Sequence, residues 1–471
     1  MKFLLIKIPE RNKDFKLFSS KKYALTAYPP LGLEYIAATL GNAGHDVEII
    51  DLDAEKISKE KLKNLLSKTD VVGISVFINN YKIASDVSKE IKKIDPNIPI
   101  IIGGPHCTFL KNNVFSHIPC ADISVEAEGE YVILDLAKYF EGYLKLSDIK
   151  GIKYKENDKI KSGKPLQIIK DIDSIPFPAR NLTEKYDYGN FDWGLRPKKK
   201  FTTMIYSRGC PFKCRFCTRF GNIKGWTFRR RSIDNIINEI EEISDKYNSI
   251  MIVDDNFLAD KKVSSVIMDR IINLDLNLEL FILGARVDTA SFELYKKMKR
   301  AGVKYIGFGI ESGNQDVLDY YNKKITIPQI KKAVTLSRKM DFITQGFFIF
   351  GAPIETKKHI ENTIQLAVTL PFDIVVFQPL GYEIGSDIWD EAVKNKIISK
   401  NEISVISDST QGLGNFSKEE LEIFIKNGYR RFYLNKSYIS RLLFGTFKNR
   451  DTNHLKTISR LALSPQMKKL I

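Results

Sequence analysis

Strand-like and helix-like segments alternate through most of this chain, and that alternation restricts its fold more than any other feature. Residues 2–8 (KFLLIKI), 46–51, 70–77, 99–104 and 121–127 are short runs rich in aliphatic and β-branched side chains. Helical stretches such as 33–44 and 80–94 separate them. The pattern predicts a doubly wound parallel sheet, whose ligands gather at the carboxyl ends of the strands. A second series has strands expected at 201–207, 249–255, 278–286, 303–312, 343–351 and 372–380, with helices between them. One of those helices, 232–247, has Ser232 as its expected cap. Six βα units are too few for a closed eight-stranded barrel and enough for an open, partial one.

Length agrees with several domains, since 471 residues exceed what one ordinary core holds. The expected fold class is α/β. A Rossmann-like domain is expected over residues 1–140 and a linker over 141–200, where IPFPARN and RPKKK fall. A partial (β/α)6 barrel is expected over 201–395, followed by a basic, mainly helical region over 396–471. No apolar run reaches the ~18 residues of a spanning helix. The charge that follows MKFLLI comes too soon for a signal peptide. Five cysteines, an odd number, argue against a disulfide framework and for a reduced, cytoplasmic setting. The net charge of +16 sits largely in the tail, where residues 426–471 hold eleven basic residues and one acid. With Tyr429, Phe432, Tyr433, Tyr438, Leu442, Leu443, Phe444 and Phe447, that tail reads either as a helix packed on the barrel or as a peripheral contact with anionic membrane. It carries no nucleic-acid-binding module, which argues against a nucleic-acid partner.

The chemistry is signalled by Cys210-Pro-Phe-Lys-Cys214-Arg-Phe-Cys217, a C-x3-C-x2-C placed just after a predicted strand. Thiolates bind soft metals and iron–sulfur clusters, and three ligands on a four-iron cluster leave one iron open to substrate. A zinc site would need a fourth ligand, and the next histidine is His359. Other strands of the series also end on polar groups: Asp254-Asp255-Asn256, Arg286, Glu311-Ser312 and Gln378. Barrel active sites are assembled from such positions.

Residues 201–390 thereby resemble the radical S-adenosylmethionine enzymes. The resemblance implies that Cys210, Cys214 and Cys217 hold a [4Fe–4S] cluster whose open iron chelates S-adenosylmethionine, which reduction cleaves to methionine and a 5′-deoxyadenosyl radical. It implies that Phe216 packs near the adenine, that Glu311 and Ser312 bind the methionine or ribose part, and that Arg286 approaches the carboxylate. Asp254 and Asp255 stand where other branches carry a glycine-rich motif for the amino group.

Residues 1–140 resemble the cobalamin-binding domain that precedes this barrel in one branch of the family. The motifs are Tyr28-Pro-Pro30-Leu31-Gly32, Ser75-Val-Phe77, Gly103-Gly104-Pro-His106 and Glu128-Gly129-Glu130. Small residues let the backbone approach a nucleotide tail, and Ser75 can hydrogen-bond it. The Asp-x-His-x-x-Gly segment that supplies a cobalt ligand elsewhere is absent. The implied cofactors are a [4Fe–4S] cluster, S-adenosylmethionine and cobalamin, with an electron donor such as flavodoxin or ferredoxin.

The expected function is a cobalamin-dependent radical enzyme, foremost a methyltransferase acting on an unactivated carbon of a small-molecule, lipid or peptide substrate. The alternatives are non-methylating cyclisation, rearrangement or C–C bond formation, and a non-catalytic cobalamin or redox sensor. A methylthiotransferase would need three further N-terminal cysteines, and only Cys107 and Cys120 exist.

Overall fold

Parallel strands buried on both faces need nearly continuous apolar sequence, and the first unit is built from such runs. In this computed structural model, residues 1–9, 17–18, 28–191, 197, 199–218, 220, 223 and 225–441 are described. They form two compact units, Met1–Tyr188 and Gly189–Ile471. In the first, strands β1 (Lys2–Lys7), β2 (Asp46–Asp51), β3 (Val71–Ser75), β4 (Ile100–Gly103) and β5 (Ile123–Val125) are parallel neighbours, in the order β2-β1-β3-β4-β5. Phe3, Leu4, Val71, Val72, Ile100 and Ile102 have no exposed surface. Each such side chain contributes roughly 1.5–3 kcal/mol.

The strand order reverses between β1 and β3. At that switch point the helices on either side diverge and leave a crevice at the carboxyl ends. Register aligns Lys7 with Ser75 and Ser75 with Gly103 along this edge.

Part of the segment expected as a linker is sheet. β6 (Ile152–Glu156) and β7 (Lys159–Ser162) add antiparallel strands beyond β5, with Tyr154 opposite Ile123. Their polar sequence fits this place: β7 is exposed at all four residues and forms the sheet's edge.

The second unit carries the six-stranded parallel sheet of an open barrel. Its strands are β8 (Phe201–Met204), β11 (Ser249–Ile252), β12 (Glu279–Ala285), β13 (Val303–Glu311), β14 (Ile343–Phe350) and β15 (Ile374–Pro379), following the short β9 (Ser207–Arg208) and β10 (Arg229–Arg230) in numbering. Ser232 caps its helix as expected, accepting from the Asn235 N–H at 3.1 Å. Side chains alternate along the strands. Ile306, Phe308, Phe348 and Phe350 pack under the helices, which leaves Tyr305 and Gln345 on the other face, joined at 2.6 Å.

The helix Lys418–Tyr433 lies along β15, an edge strand. The Tyr429 hydroxyl accepts from the Phe377 N–H (3.1 Å) and donates to the Phe377 carbonyl (3.3 Å). Tyr433 makes the same pair with Val375, and the Tyr438 hydroxyl donates to the Asp373 carbonyl at 3.0 Å. Phe432 and Tyr438 are buried with them. These four aromatic residues therefore pack on the barrel. Leu442, Leu443, Phe444 and Phe447 lie outside the described residues. Among the described residues, no helix is long and apolar enough to cross a membrane.

Candidate active site

The cysteine loop follows β8 and is tethered before its first ligand position. The Asp254 carboxylate, at the end of β11, accepts from the backbone N–H groups of Tyr206 (2.9 Å) and Ser207 (2.6 Å) and from the Ser207 hydroxyl. Burial pushes its pKa up to about 6 against these bonds. Both Asp254 oxygens are thus committed to the loop, while the neighbouring Asp255 is exposed. Gly209, at φ +81°, leaves no room for a Cβ, which would lie 2.8 Å from Trp226 Nε1.

Cys214 is buried, while Cys210 and Cys217 are exposed. Although Cys217 is exposed as a residue, its thiol is desolvated. Desolvation, then the charges of Cys214, Asp255 and Cys210, push its thiol up to about 12. Cys210 is raised likewise, by burial first, with Asp255 and Cys214 adding and Arg286 opposing. Asp255 and Cys214 thus act on both Cys210 and Cys217, Arg286 acts on Cys210, and Lys323 acts on Cys217. A bound cation reverses the thiol's preference, because the thiolate is the ligating form. No three described His, Cys, Asp or Glu side chains converge on a single-ion site. A multi-iron cluster, being wider, does not require that convergence.

Arg286 is buried, with its guanidinium 3.6 Å over the Phe212 ring. It is paired with Asp288 (3.0 Å) and donates to the Lys324 carbonyl (3.1 Å). Glu311 ends β13 at φ +69°, in a left-handed conformation that costs of order 1–3 kcal/mol for a non-glycine residue. Its Oε1 is 2.6 Å from Lys323 Nζ. A Cβ on Gly309 would lie 2.5 Å from Glu311 Oε1 and 2.8 Å from Lys323 Nζ, so glycine there makes the pair possible. Phe216 meets Tyr321 edge-on at 5.0 Å and has Lys323 5.7 Å from its ring centroid. Ser312 is turned inward, bonded to Asn314 and Thr363. That network supports the turn after β13 and takes up the hydroxyl expected to face the cofactor. Lys323 was not visible in the sequence as a site residue, because a lone lysine twelve positions after Glu311 has no motif around it.

In the first unit, Pro30, Leu31 and Gly32 open the helix Leu31–Asn42 beside the switch point. A Cβ added at Gly32 would meet no atom within 4 Å. Ser75 is half-buried at the end of β3 and Phe77 is 42% exposed. The Phe77 N–H donates to Asn80 Oδ1 at 2.8 Å. Gly103 ends β4, and Gly104 has φ +109° with its Cβ position 2.7 Å from the Val76 carbonyl oxygen. This bare backbone, open beside Gly32 and crowded behind Gly104, is a cradle of the kind a nucleotide tail requires.

Of the other residues expected to contact the cofactor, His106, Glu128 and Glu130 are buried and Gly129 is half-buried. His106 is fully buried, stacked on Tyr81 at 4.8 Å and 3.2 Å from His117 Nδ1. Desolvation, then His117, lowers its pKa to about 3. Glu128 is buried and accepts from the Ile169 N–H at 2.8 Å, and Glu130 is also buried. Gly129 lies against Ile36, where a Cβ would be 3.0 Å from Cδ1.

Comparison with known proteins agrees with both halves of this arrangement. The radical SAM superfamily profile matches residues 204–367 and the B12 binding domain profile matches residues 23–137. An uncharacterized methyltransferase of Pyrococcus horikoshii is 31% identical over 456 residues, covering 94% of this chain and 95% of the relative. The chain belongs to the cobalamin-binding radical S-adenosylmethionine family. Members of this family use S-adenosylmethionine, a [4Fe–4S] cluster and cobalamin, so this is a cobalamin-dependent radical S-adenosylmethionine enzyme. Another family relative, the anaerobic magnesium-protoporphyrin IX monomethyl ester cyclase of Cereibacter sphaeroides, is 26% identical over 87% of this chain and 68% of its own. The fold is shared with OxsB, a cobalamin-dependent S-adenosylmethionine radical enzyme solved with aqua-cobalamin and S-adenosylmethionine. That likeness has a TM-score of 0.71 at 17% identity, covering 99% of this chain and 75% of the other.

Proposed function

We propose that this enzyme is a C-methyltransferase acting on an unactivated carbon of a small molecule or peptide. The observation that carries the reading is the cysteine loop at the carboxyl end of β8, tethered by Asp254 and placed beside Asp255, Arg286 and Lys323. When bound, the cluster with S-adenosylmethionine supplies hydrogen-abstracting radical chemistry, and cobalamin supplies a methyl carrier. Cys210, Cys214 and Cys217 hold the cluster, with Cys214 on the buried side. Asp255 is the exposed carboxylate suited to the cofactor's amino group. Lys323 pairs with Glu311 and would hold its carboxylate toward the remaining polar part, and Phe216 offers an apolar face. Arg286 balances the thiolates from its stacked position on Phe212. In the first unit, Ser75, Gly103, Gly104 and Gly32 would receive the cobalamin tail.

The relative named a methyltransferase, aligned over nearly the whole chain, supports methyl transfer. The relative named a cyclase favours ring formation as the second reading. Anaerobic reconstitution with iron, sulfide, cobalamin and S-adenosylmethionine, with reduced flavodoxin or ferredoxin as electron donor, tests the reading. Mass spectrometry of treated cell extract is expected to find a product heavier by one methylene. Deoxyadenosine formation with a product that has lost hydrogen and gained no carbon would favour cyclisation. No deoxyadenosine at all, in a protein carrying its cluster, would overturn both.

A further inference from the structure

The last two cysteines of the loop are the ends of a turn. The Cys217 N–H donates to the Cys214 carbonyl at 3.2 Å, so Arg215 and Phe216 are its two central residues. Whatever fixes these two residues fixes the separation of two sulfurs. Arg215 is held at both ends of its backbone: its N–H donates to the Tyr321 carbonyl at 2.9 Å, and its carbonyl accepts from the Ile388 N–H at 3.2 Å. Its guanidinium lies 4.4 Å over the Tyr320 ring, donates to the Tyr320 carbonyl at 3.3 Å, and donates to both Glu391 oxygens at 2.7 and 2.5 Å. Glu391 belongs to the helix Asp387–Lys394, which begins twenty residues beyond the end of the matched radical profile at residue 367.

The geometry points to Arg215 as a positioning residue of the cluster. Through Glu391, the region after the barrel's last strand sets the spacing of Cys214 and Cys217. An isolated exposed ion pair would do little, since such pairs contribute about 0–1 kcal/mol. This one uses both guanidinium arms, Nη1 on the Tyr320 carbonyl and Nη2 on both Glu391 oxygens, is stacked on an aromatic ring and is mounted on a turn whose backbone is bonded on both sides, and one planar group making all these contacts is specific to arginine. Lysine could keep the bond to Glu391 and could not keep the second arm on the Tyr320 carbonyl or the stack on its ring.

The inference rests on the three cysteines being cluster ligands, and the test separates the two claims. Full-length wild type, Arg215→Met, Arg215→Lys, Glu391→Gln and the swap Arg215→Glu/Glu391→Arg would be reconstituted anaerobically. Iron release to a chelator and the electron paramagnetic resonance of the reduced cluster would then be recorded. Arg215→Met is expected to release iron about tenfold faster than wild type, equivalent to about 1.4 kcal/mol, with shifted g-values. Arg215→Lys and Glu391→Gln are expected to show part of both effects, and the swap, which restores the ion pair but not the stack or the carbonyl bond on Tyr320, to recover only part of the wild-type behaviour. Glu391 is 55% exposed on its side chain, so Glu391→Gln remains informative if Arg215→Met fails to fold. Wild-type spectra and release rates in Arg215→Met and Glu391→Gln would overturn the positioning role while leaving the cysteine assignment standing. A wild type that takes up no cluster would overturn both.

Discussion

Lys323 Nζ lies 2.6 Å from Glu311 Oε1, and both side chains are more than nine-tenths buried. Neither charge could be tolerated there alone, and the pair is held at the one point of β13 where the backbone is left-handed.

Lys323→Met should therefore be more harmful than its isolated position in the sequence suggests. Removing one partner of a buried pair costs about 3–5 kcal/mol, because the other charge is left uncompensated. Urea denaturation of the apo-protein is expected to show this loss. The double variant Lys323→Met/Glu311→Gln should recover a large part of it. A single variant as stable as wild type would mean that Glu311 is compensated elsewhere.

Asp254 has a pKa raised from 3.8 to about 6 by burial. A raised carboxyl pKa means that the folded state holds its proton longer than the unfolded state. Its contribution to stability is thus greatest below about pH 4, falls as pH rises to about 6, and is constant above that. The stability of wild type relative to Asp254→Asn should fall across that interval. Asp254→Asn also turns an amide donor toward a backbone N–H, which should weaken loop attachment by about 1–3 kcal/mol. Urea midpoints of both proteins at intervals between pH 4 and 7 would check the slope.

Two glycines of the first unit should respond in opposite ways. Gly104→Ala places a Cβ 2.7 Å from the Val76 carbonyl oxygen at φ +109°, so it should lose stability as well as cobalamin. A residue forced into such a conformation costs of order 1–3 kcal/mol before the clash is counted. Gly32→Ala meets open space in the first turn of a helix and should gain up to about 1 kcal/mol. It should nevertheless bind cobalamin more weakly if that space receives the cofactor. Thermal melts beside absorbance titrations with hydroxocobalamin separate the two effects.

Tyr429→Phe and Tyr433→Phe each remove a hydroxyl bonded to both polar groups of one β15 residue. Each should cost about 0.5–1.5 kcal/mol. Hydrogen exchange should quicken at the Phe377 amide in the first variant and at the Val375 amide in the second. Unchanged exchange at those two amides would show that packing alone protects the edge.

The strands of both sheets were legible because parallel strands buried on both faces must be written in runs such as KFLLIKI and FFIF. β6 and β7 escaped notice because an edge hairpin has little to bury, and KIKS is exposed throughout. The cysteine loop was legible because its chemistry demands a fixed residue type at fixed spacing. What holds that loop was not. Asp254 looks like a ligand in sequence, and only the fold turns both its oxygens onto the backbone of Tyr206 and Ser207. His106 follows two glycines as a loop ligand would, yet the helix beginning at Pro105 carries it into the interior against Tyr81.

The tyrosines along β15 bear on how this enzyme survives in a crowded cell. Four residues of helix advance about 6 Å and two residues of strand about 6.7 Å, so side chains at helix positions 429 and 433 can serve strand positions 377 and 375 in step. Every backbone group so occupied is one that a neighbouring chain cannot recruit, and an unshielded parallel edge is a ready template for fibrous self-association. Chains cut short before residue 429 should lose that shield and precipitate as they fold, whatever their cofactors. Whoever trims this protein for expression should keep the helix whole.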